Sequence, residues 1–215
     1  MSTKLWAKIS SPSFKTKATL LAIAIGILPI VTVGTLNYLQ VRNEIQQQVV
    51  KDQAKRAASV ADRLNQFMFE RNGDVQILSS LPVFADSRVA AVTSTQGKNL
   101  LLDRFVGAYQ AYDSIAVFDI TGKLVAQSKG ESLTKINHAQ RQYFKDAIST
   151  GKAVISAPEP SVSTGRISVF LAAPIRDLVT TKIVGVVRTR VPVARLAAVL
   201  KDFAAQSENY QALLN

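Results

Sequence analysis

The chain has 215 residues, a formal net charge of +11, no cysteine and one histidine. Without cysteine it has no disulfide or thiolate chemistry, and with only His138 a zinc or transition-metal site has almost no ligands to draw on. The positive charge is scattered, with no Lys/Arg-rich block interleaved with aromatics, so composition speaks against a nucleic-acid surface and leaves anionic small molecules or lipid head groups as the partners that a basic balance suits, or simple solubility as its reason.

Residues 1–17 form a basic head carrying Lys4, Lys8, Lys15 and Lys17 and no acid. Residues 18–41 follow without a single charge. At about 1.5 Å per residue this stretch spans a hydrocarbon layer of roughly 30 Å, and Pro29 kinks such a helix without breaking it. A cleaved secretory signal is the competing reading, but the apolar run exceeds the 7–15 residues typical of one and lacks a small-residue cleavage site. The lysines on one flank put the N-terminus in the cytoplasm and the remainder outside, which implies a single pass through the inner membrane and a lipid bilayer as first partner. Trp6 and Tyr38 are candidate interface residues. Beyond the span, 22 Lys and Arg face 15 Asp and Glu.

Helical periodicity runs from Asn43 to about Leu81, through Ile45, Val49, Val60, Leu64, Phe67, Met68, Val75 and Leu78. A stem helix over 42–84 follows, able to continue the membrane helix as one rod. Its apolar stripe needs a partner: the chain's own sheet, the same helix of a second copy in a homodimer, or each at a different height. Ala54, Ala57, Ala58 and Ala61 would permit close approach.

After Pro82 the period changes. An amphipathic segment over 98–112 leads into a strand at Ser114–Ile120, a turn at Thr121-Gly122 and a return strand at Leu124–Ser128, with Asp119 bonding the turn backbone and Gly122 supplying a positive φ. Asn137 with Gln140 three residues on has capping-box spacing and opens a helix over 138–150 that stops at Gly151. Strands over 153–157, 166–175 and 183–191 complete an α+β module with a five-stranded antiparallel sheet. The turn-rich segment 158–165 and a turn at 177–181 connect them, and a closing helix begins at Val193.

The stretch Tyr112–Leu200 resembles a Cache domain, the PAS-like extracytoplasmic sensor of bacterial chemoreceptors, histidine kinases and diguanylate cyclases. The phrases that carry the likeness are SIAVFDITGKLVAQS (114–128), RQYFKDAISTGKAVIS (141–156), LAAPI (171–175) and VGVVRTRVPVARL (184–196). The resemblance implies a sensor module over 85–200, of the methyl-accepting chemotaxis type, which binds a small molecule and needs no cofactor. The ending over 201–215 looks like the lead-in to a further helix or a second module, as expected of a truncated receptor. In double-module relatives that bind amino acids, an Arg-x-Trp-Tyr phrase on the short helix holds the ligand carboxylate, and an acid on the last strand holds its ammonium. Arg141, Tyr143 and Phe144 match the first. Arg190 stands where the acid is expected, and Ile136 stands in place of a tyrosine, so ordinary α-amino acids are poor candidates.

The residues themselves sharpen that departure. Along 183–191, side chains alternate: Ile183, Val187 and Val191 share one face, and Val184, Val186, Arg188 and Arg190 share the other. If the first face packs on the long helix, two guanidinium groups face the pocket with Arg141 near, an arrangement suited to a carboxylate or phosphate. The candidate ligand-binding set is Arg141, Tyr143, Phe144, Ser156, Arg188 and Arg190. A buried arginine must be answered by an anion. That anion is a ligand, or Glu159, Asp146 or another acid of the chain, unless the arginines are solvated at a sheet edge. His138 reads as solvent-facing, with pH sensing as the alternative. Ser161, Ser163 and Thr164 read as turn residues or ligand donors. No catalytic constellation or metal motif emerges. The competing functional reading is a membrane-anchored scaffold that uses the same fold for dimerisation, and the sensor portion of a histidine kinase or diguanylate cyclase stands beside the chemotaxis type as a second alternative.

Overall fold

The computed structural model describes residues 13–129, 137–201 and 203. Most of the basic head with Trp6, the tail from residue 204 and Ile136 lie outside the described residues. The chain divides into two compact units, residues 1–58 and 59–215.

In the first unit the described residues are helical from Phe14 onward, part of α1 (Phe14–Ser80). Its apolar side chains, Ile23, Ile27, Leu28, Ile30 and Val33 among them, are exposed. Thr32 and Thr35 turn their hydroxyls back onto the carbonyls of Leu28 and Val31, at 2.7 Å each, which hides two polar groups that would otherwise face outward. This segment is long and apolar enough to cross a membrane.

The second unit holds the end of α1, then α2 (Pro82–Ala85), α3 (Ser87–Val92) and α4 (Thr95–Tyr109). The stem periodicity extends to Leu81, and the helix stops at Ser80, where Pro82 disfavours a helical Leu81 and opens the next turn. Ser94 caps α4 by accepting from Gly97 N at 3.1 Å, so the helix starts earlier than its apolar spacing suggested. β1 (Ser114–Asp119) and β2 (Leu124–Gln127) form the expected hairpin. Asp119 Oδ1 accepts from Thr121 N, Lys123 N and the Thr121 hydroxyl, and Gly122 sits at φ +80°.

The expected helix over 138–150 is two elements, a 3-10 turn at His138–Gln140 and α5 (Gln142–Thr150). Asn137 caps the turn rather than a long helix, accepting from Ala139 N at 2.8 Å. β3 (Val154–Ile155), β4 (Glu159–Pro160), β5 (Ile167–Arg176) and β6 (Ile183–Pro192) follow, and residues 193–201 are helical. Among the described residues the sheet has six strands rather than five. Its order is β2-β1-β6-β5-β3, with β4 also pairing on β5, and every pairing is antiparallel. The extra strand is two residues long and lies inside the segment read as a turn.

Two apolar cores flank the sheet. On one face Ile115, Val117, Val169, Leu171, Ile175, Val187 and Val191 pack with Val75 and Leu78 of α1, Phe84 of α2 and Leu102 of α4. On the other, Ala116, Phe118, Phe170, Ala172 and Val186 pack with Tyr143, Phe144 and Ala147 of α5. Strand alternation therefore sends Arg188 and Arg190 toward the α5 side, away from the α1 side. At the α1 side, the Tyr112 hydroxyl donates to Asp74 at 2.6 Å and Arg71 pairs with Asp74 at 2.8 Å. Burial first, and then the Asp74 carboxylate, push the Tyr112 phenol well above its ordinary value.

Candidate functional site

β6 lies between β1 and β5, so Arg188 and Arg190 occupy the middle of the sheet. Each is 1% exposed. The sheet-edge solvation considered from sequence is thereby overturned, because a central strand has both backbone edges paired and α5 with the 158–165 segment covers its face. Register explains how two guanidinium groups fit: Arg188 stands opposite Ala116 and Ala172, and Arg190 opposite Ser114 and Phe170. The small Ala116, Ala172 and Ser114 leave room for the long side chains to lie along the sheet, beside the Phe170 ring.

Arg190 is answered within the chain. Its Nε donates to Asp113 Oδ1 at 2.6 Å, and Nη1 donates to the hydroxyls of Ser161 at 2.6 Å and Ser163 at 2.9 Å. The Asp113 amide also donates to the Arg190 carbonyl, which holds the acid beside the strand. Arg188 Nη1 donates to the Ser114 hydroxyl at 3.2 Å, and its guanidinium lies 5.7 Å from the Phe170 ring centroid and 6.0 Å from that of Phe118. Arg141, just before α5, sets its Nη2 2.8 Å from Glu159 Oε1 and lies 5.8 Å from the Tyr143 and Phe170 rings. Of the two acids considered from sequence, Glu159 thus reaches an arginine, while Asp146 accepts from Gln142 on the exposed side of α5.

His138 is not solvent-facing. It is 2% exposed, stacked on Phe118 at 4.2 Å between centroids, with Nδ1 2.7 Å from the Tyr143 hydroxyl. The cause is the β1–β2 turn. The Gly122 carbonyl accepts from His138 N, and a Cβ at Gly122 would collide with the Ala139 backbone, so only glycine lets the turn press the histidine inward. Burial, and then the Arg188 and Arg141 charges, lower the His138 pKa to about 4, so the ring is neutral at physiological pH. Burial raises the Tyr143 phenol as well.

His138, Arg141, Tyr143, Ser161, Ser163, Phe170, Arg188 and Arg190 line one small cavity of about 10 Å³, room for a single water. Four members of the sequence-derived set meet there: Arg141, Tyr143, Arg188 and Arg190. Phe144 is packed in the core beneath α5. The Ser156 hydroxyl accepts from Phe170 N at 3.0 Å and donates to the Ala157 carbonyl, tying β3 to β5 outside the cavity. Sequence reasoning missed Asp113 and Phe170. Phe170 stands directly opposite Arg190 on β5, and Asp113 is the residue before its β1 partner Ser114, a signal that appears only once the strand pairing is known. A wider open groove of about 560 Å³ lies between the end of α1 and β5, but its Arg176 spends donors on the Gly151 and Thr181 carbonyls. The cavity among the three arginines is the better-built site.

Comparison with solved structures finds this architecture among sensor domains. The ligand-binding domain of the Pseudomonas aeruginosa amino acid chemoreceptor PctC in complex with GABA is 16% identical, with a TM-score of 0.57 over 68% of this chain and 65% of that one. The Vibrio cholerae histidine kinase DctB sensor domain is 17% identical, with a TM-score of 0.62 over 72% of this chain and 60% of that one. The sensory domain of the Campylobacter jejuni chemoreceptor Tlp3 with isoleucine bound is 12% identical, with a TM-score of 0.62 over 74% and 65%. The chain thus spans between 60% and 65% of the length of these three structures. No curated protein matches it. The Cache domain model matches residues 38–215, most of the chain, and with the sheet and flanking helices described above this places the chain in the Cache-domain family.

Proposed function

We propose that the chain is the ligand-sensing portion of a membrane-anchored receptor of the chemotaxis type. Residues 18–41 sit in the inner membrane, the basic head 1–17 lies in the cytoplasm, and the stem 42–84 carries the sensor module 85–200 outside, with 201–215 leading onward. The stem stripe supports a homodimer. The ligand is a small organic anion held by Arg141, Arg188 and Arg190 against Tyr143, with Phe144 and Ser156 supporting the walls behind it.

The observation that carries this reading is the convergence of three guanidinium groups on one aromatic-walled cavity at the centre of the sheet. Arginine's planar fork suits carboxylate, and the ligands named for the solved relatives, GABA and isoleucine, carry one. The acid nearest the arginines on the β1 side, Asp113, is already engaged by Arg190, so it is not available to an α-ammonium. This favours acids without a neighbouring amine. The histidine-kinase reading rests on the Vibrio structure and shares the same sensor chemistry.

A thermal-shift screen of the chain in detergent with acetate, pyruvate, succinate, phosphate and α-amino acids tests the proposal. A bound ligand stabilises by RT ln(1 + [L]/Kd), about 2.7 kcal/mol at a hundredfold excess over Kd. An organic acid should raise the melting temperature, and Arg141→Ala should abolish the rise. Failure of every compound to move the wild-type transition would favour the scaffold reading instead.

A further inference from the structure

The hairpin from Glu159 to Ile167 covers the arginine cavity. We propose that Glu159 is a built-in competitor for Arg141: the carboxylate of an entering organic acid takes the guanidinium over from Glu159, and the hairpin lifts to admit it. The inference rests on the anion-site reading and adds its regulation.

The Arg141–Glu159 contact is close but poorly formed. The two atoms are 2.8 Å apart, yet neither Arg141 Nη2 nor Glu159 Oε1 has a partner in hydrogen-bonding alignment among the described residues. A free carboxylate approaching in the plane of the guanidinium would gain aligned, charge-assisted bonds that Glu159, tied to its strand, does not make. The two side chains are 22% and 30% exposed, so water already weakens their attraction.

The strand pairing that anchors the hairpin is short. β4 consists of two residues paired to Ser168 and Ile167, and Pro160 has no N–H to give the ladder. The tip closes through Ser161 N to the Arg166 carbonyl and Gly165 N to the Ser161 carbonyl, with Gly165 at φ +71°. The same segment sends Ser161 and Ser163 onto Arg190, so one movement uncovers two of the three arginines. Movement is required on size alone. A cavity of about 10 Å³ holds one water, and no organic acid enters it with the hairpin in place. Inside, His138 Nε2 is buried with no hydrogen-bond partner among the described residues, while Nδ1 is held by Tyr143. It is a second polar group for the ligand to meet.

The test uses the whole chain in detergent, with acetate, pyruvate, succinate and phosphate titrated calorimetrically into wild type, Glu159→Gln and Arg141→Gln, and amide hydrogen exchange followed without added acid. Removing the competitor should tighten organic-acid binding about two- to fivefold, the range for a partly exposed ion pair. Arg141→Gln should weaken it tenfold or more, and Ser161 and Gly165 amides should exchange faster in Glu159→Gln than in wild type. Equal or weaker binding to Glu159→Gln, with Arg141→Gln still impaired, overturns the competition and leaves the anion site standing. Arg141→Gln binding as well as wild type overturns both. Unchanged exchange at Ser161 and Gly165 overturns the competition whether or not an acid binds.

Discussion

Asp113→Asn removes the carboxylate from a pair whose arginine is 1% exposed and whose acid is 16% exposed. The charge on Arg190 remains, along with the Ser161 and Ser163 hydroxyls, but the carboxylate that answers it at 2.6 Å is lost. Breaking one side of a buried pair costs about 3–5 kcal/mol, and because water reaches part of Asp113 and asparagine keeps an acceptor oxygen, about 3 kcal/mol is the expected value. Out of a total of roughly 5–15 kcal/mol for a domain this is a large fraction. At about 2–4 °C per kcal/mol for a unit of this size, the melting temperature should fall by about 6–12 °C. Arg190→Met, which removes the charge that needs answering, should recover much of the loss when combined with Asp113→Asn. Urea and thermal denaturation of wild type, both single variants and the double variant, followed by circular dichroism, complete the cycle. A shift of under about 2 °C for Asp113→Asn, or a double variant as unstable as the two singles summed, would refute the claim that these residues stabilise each other.

Tyr112→Phe should cost about 1.5 kcal/mol in urea denaturation, the low end for a hydrogen bond to a charged group, because Arg71 still answers Asp74 when the hydroxyl is gone. His138 makes stability depend on acid. Its pKa is about 4 in the folded chain and about 6.5 when unfolded, so between those values the unfolded chain holds the proton and the folded one does not. Stability should therefore be full above pH 6.5 and fall as the pH drops toward 4, by at most about 3 kcal/mol, with that slope missing in His138→Phe when denaturation is measured across the range.

Much of the fold is legible along the chain because it is local. The Asp119-Ile-Thr-Gly122 turn follows from side-chain acceptors and a positive φ within four residues, and the end of α1 follows from Pro82. The alternation of β6 already puts Arg188 and Arg190 on one face, since strand geometry repeats every two residues whatever the surroundings. Other features depend on contacts that no local pattern encodes. Helical capping signals at Asn137 read as the start of one helix, yet the β1–β2 turn pressing on Ala139 leaves a single 3-10 turn and drives His138 inside. The two residues of β4 are too short a run to show a period of their own and exist because β5 offers them an edge.

The sequence by itself determined which groups carry charge, which stretch is apolar enough to span lipid, and which side of the last strand its arginines take, because period and composition act over a few residues. Only the tertiary structure decided what answers those arginines. Asp113 lies 77 residues before Arg190 and meets it solely because β1 pairs with β6, and Glu159 meets Arg141 because β4 folds back on β5. Partners chosen by strand pairing have no spacing rule in the chain, and the same pairing closes the cavity around them.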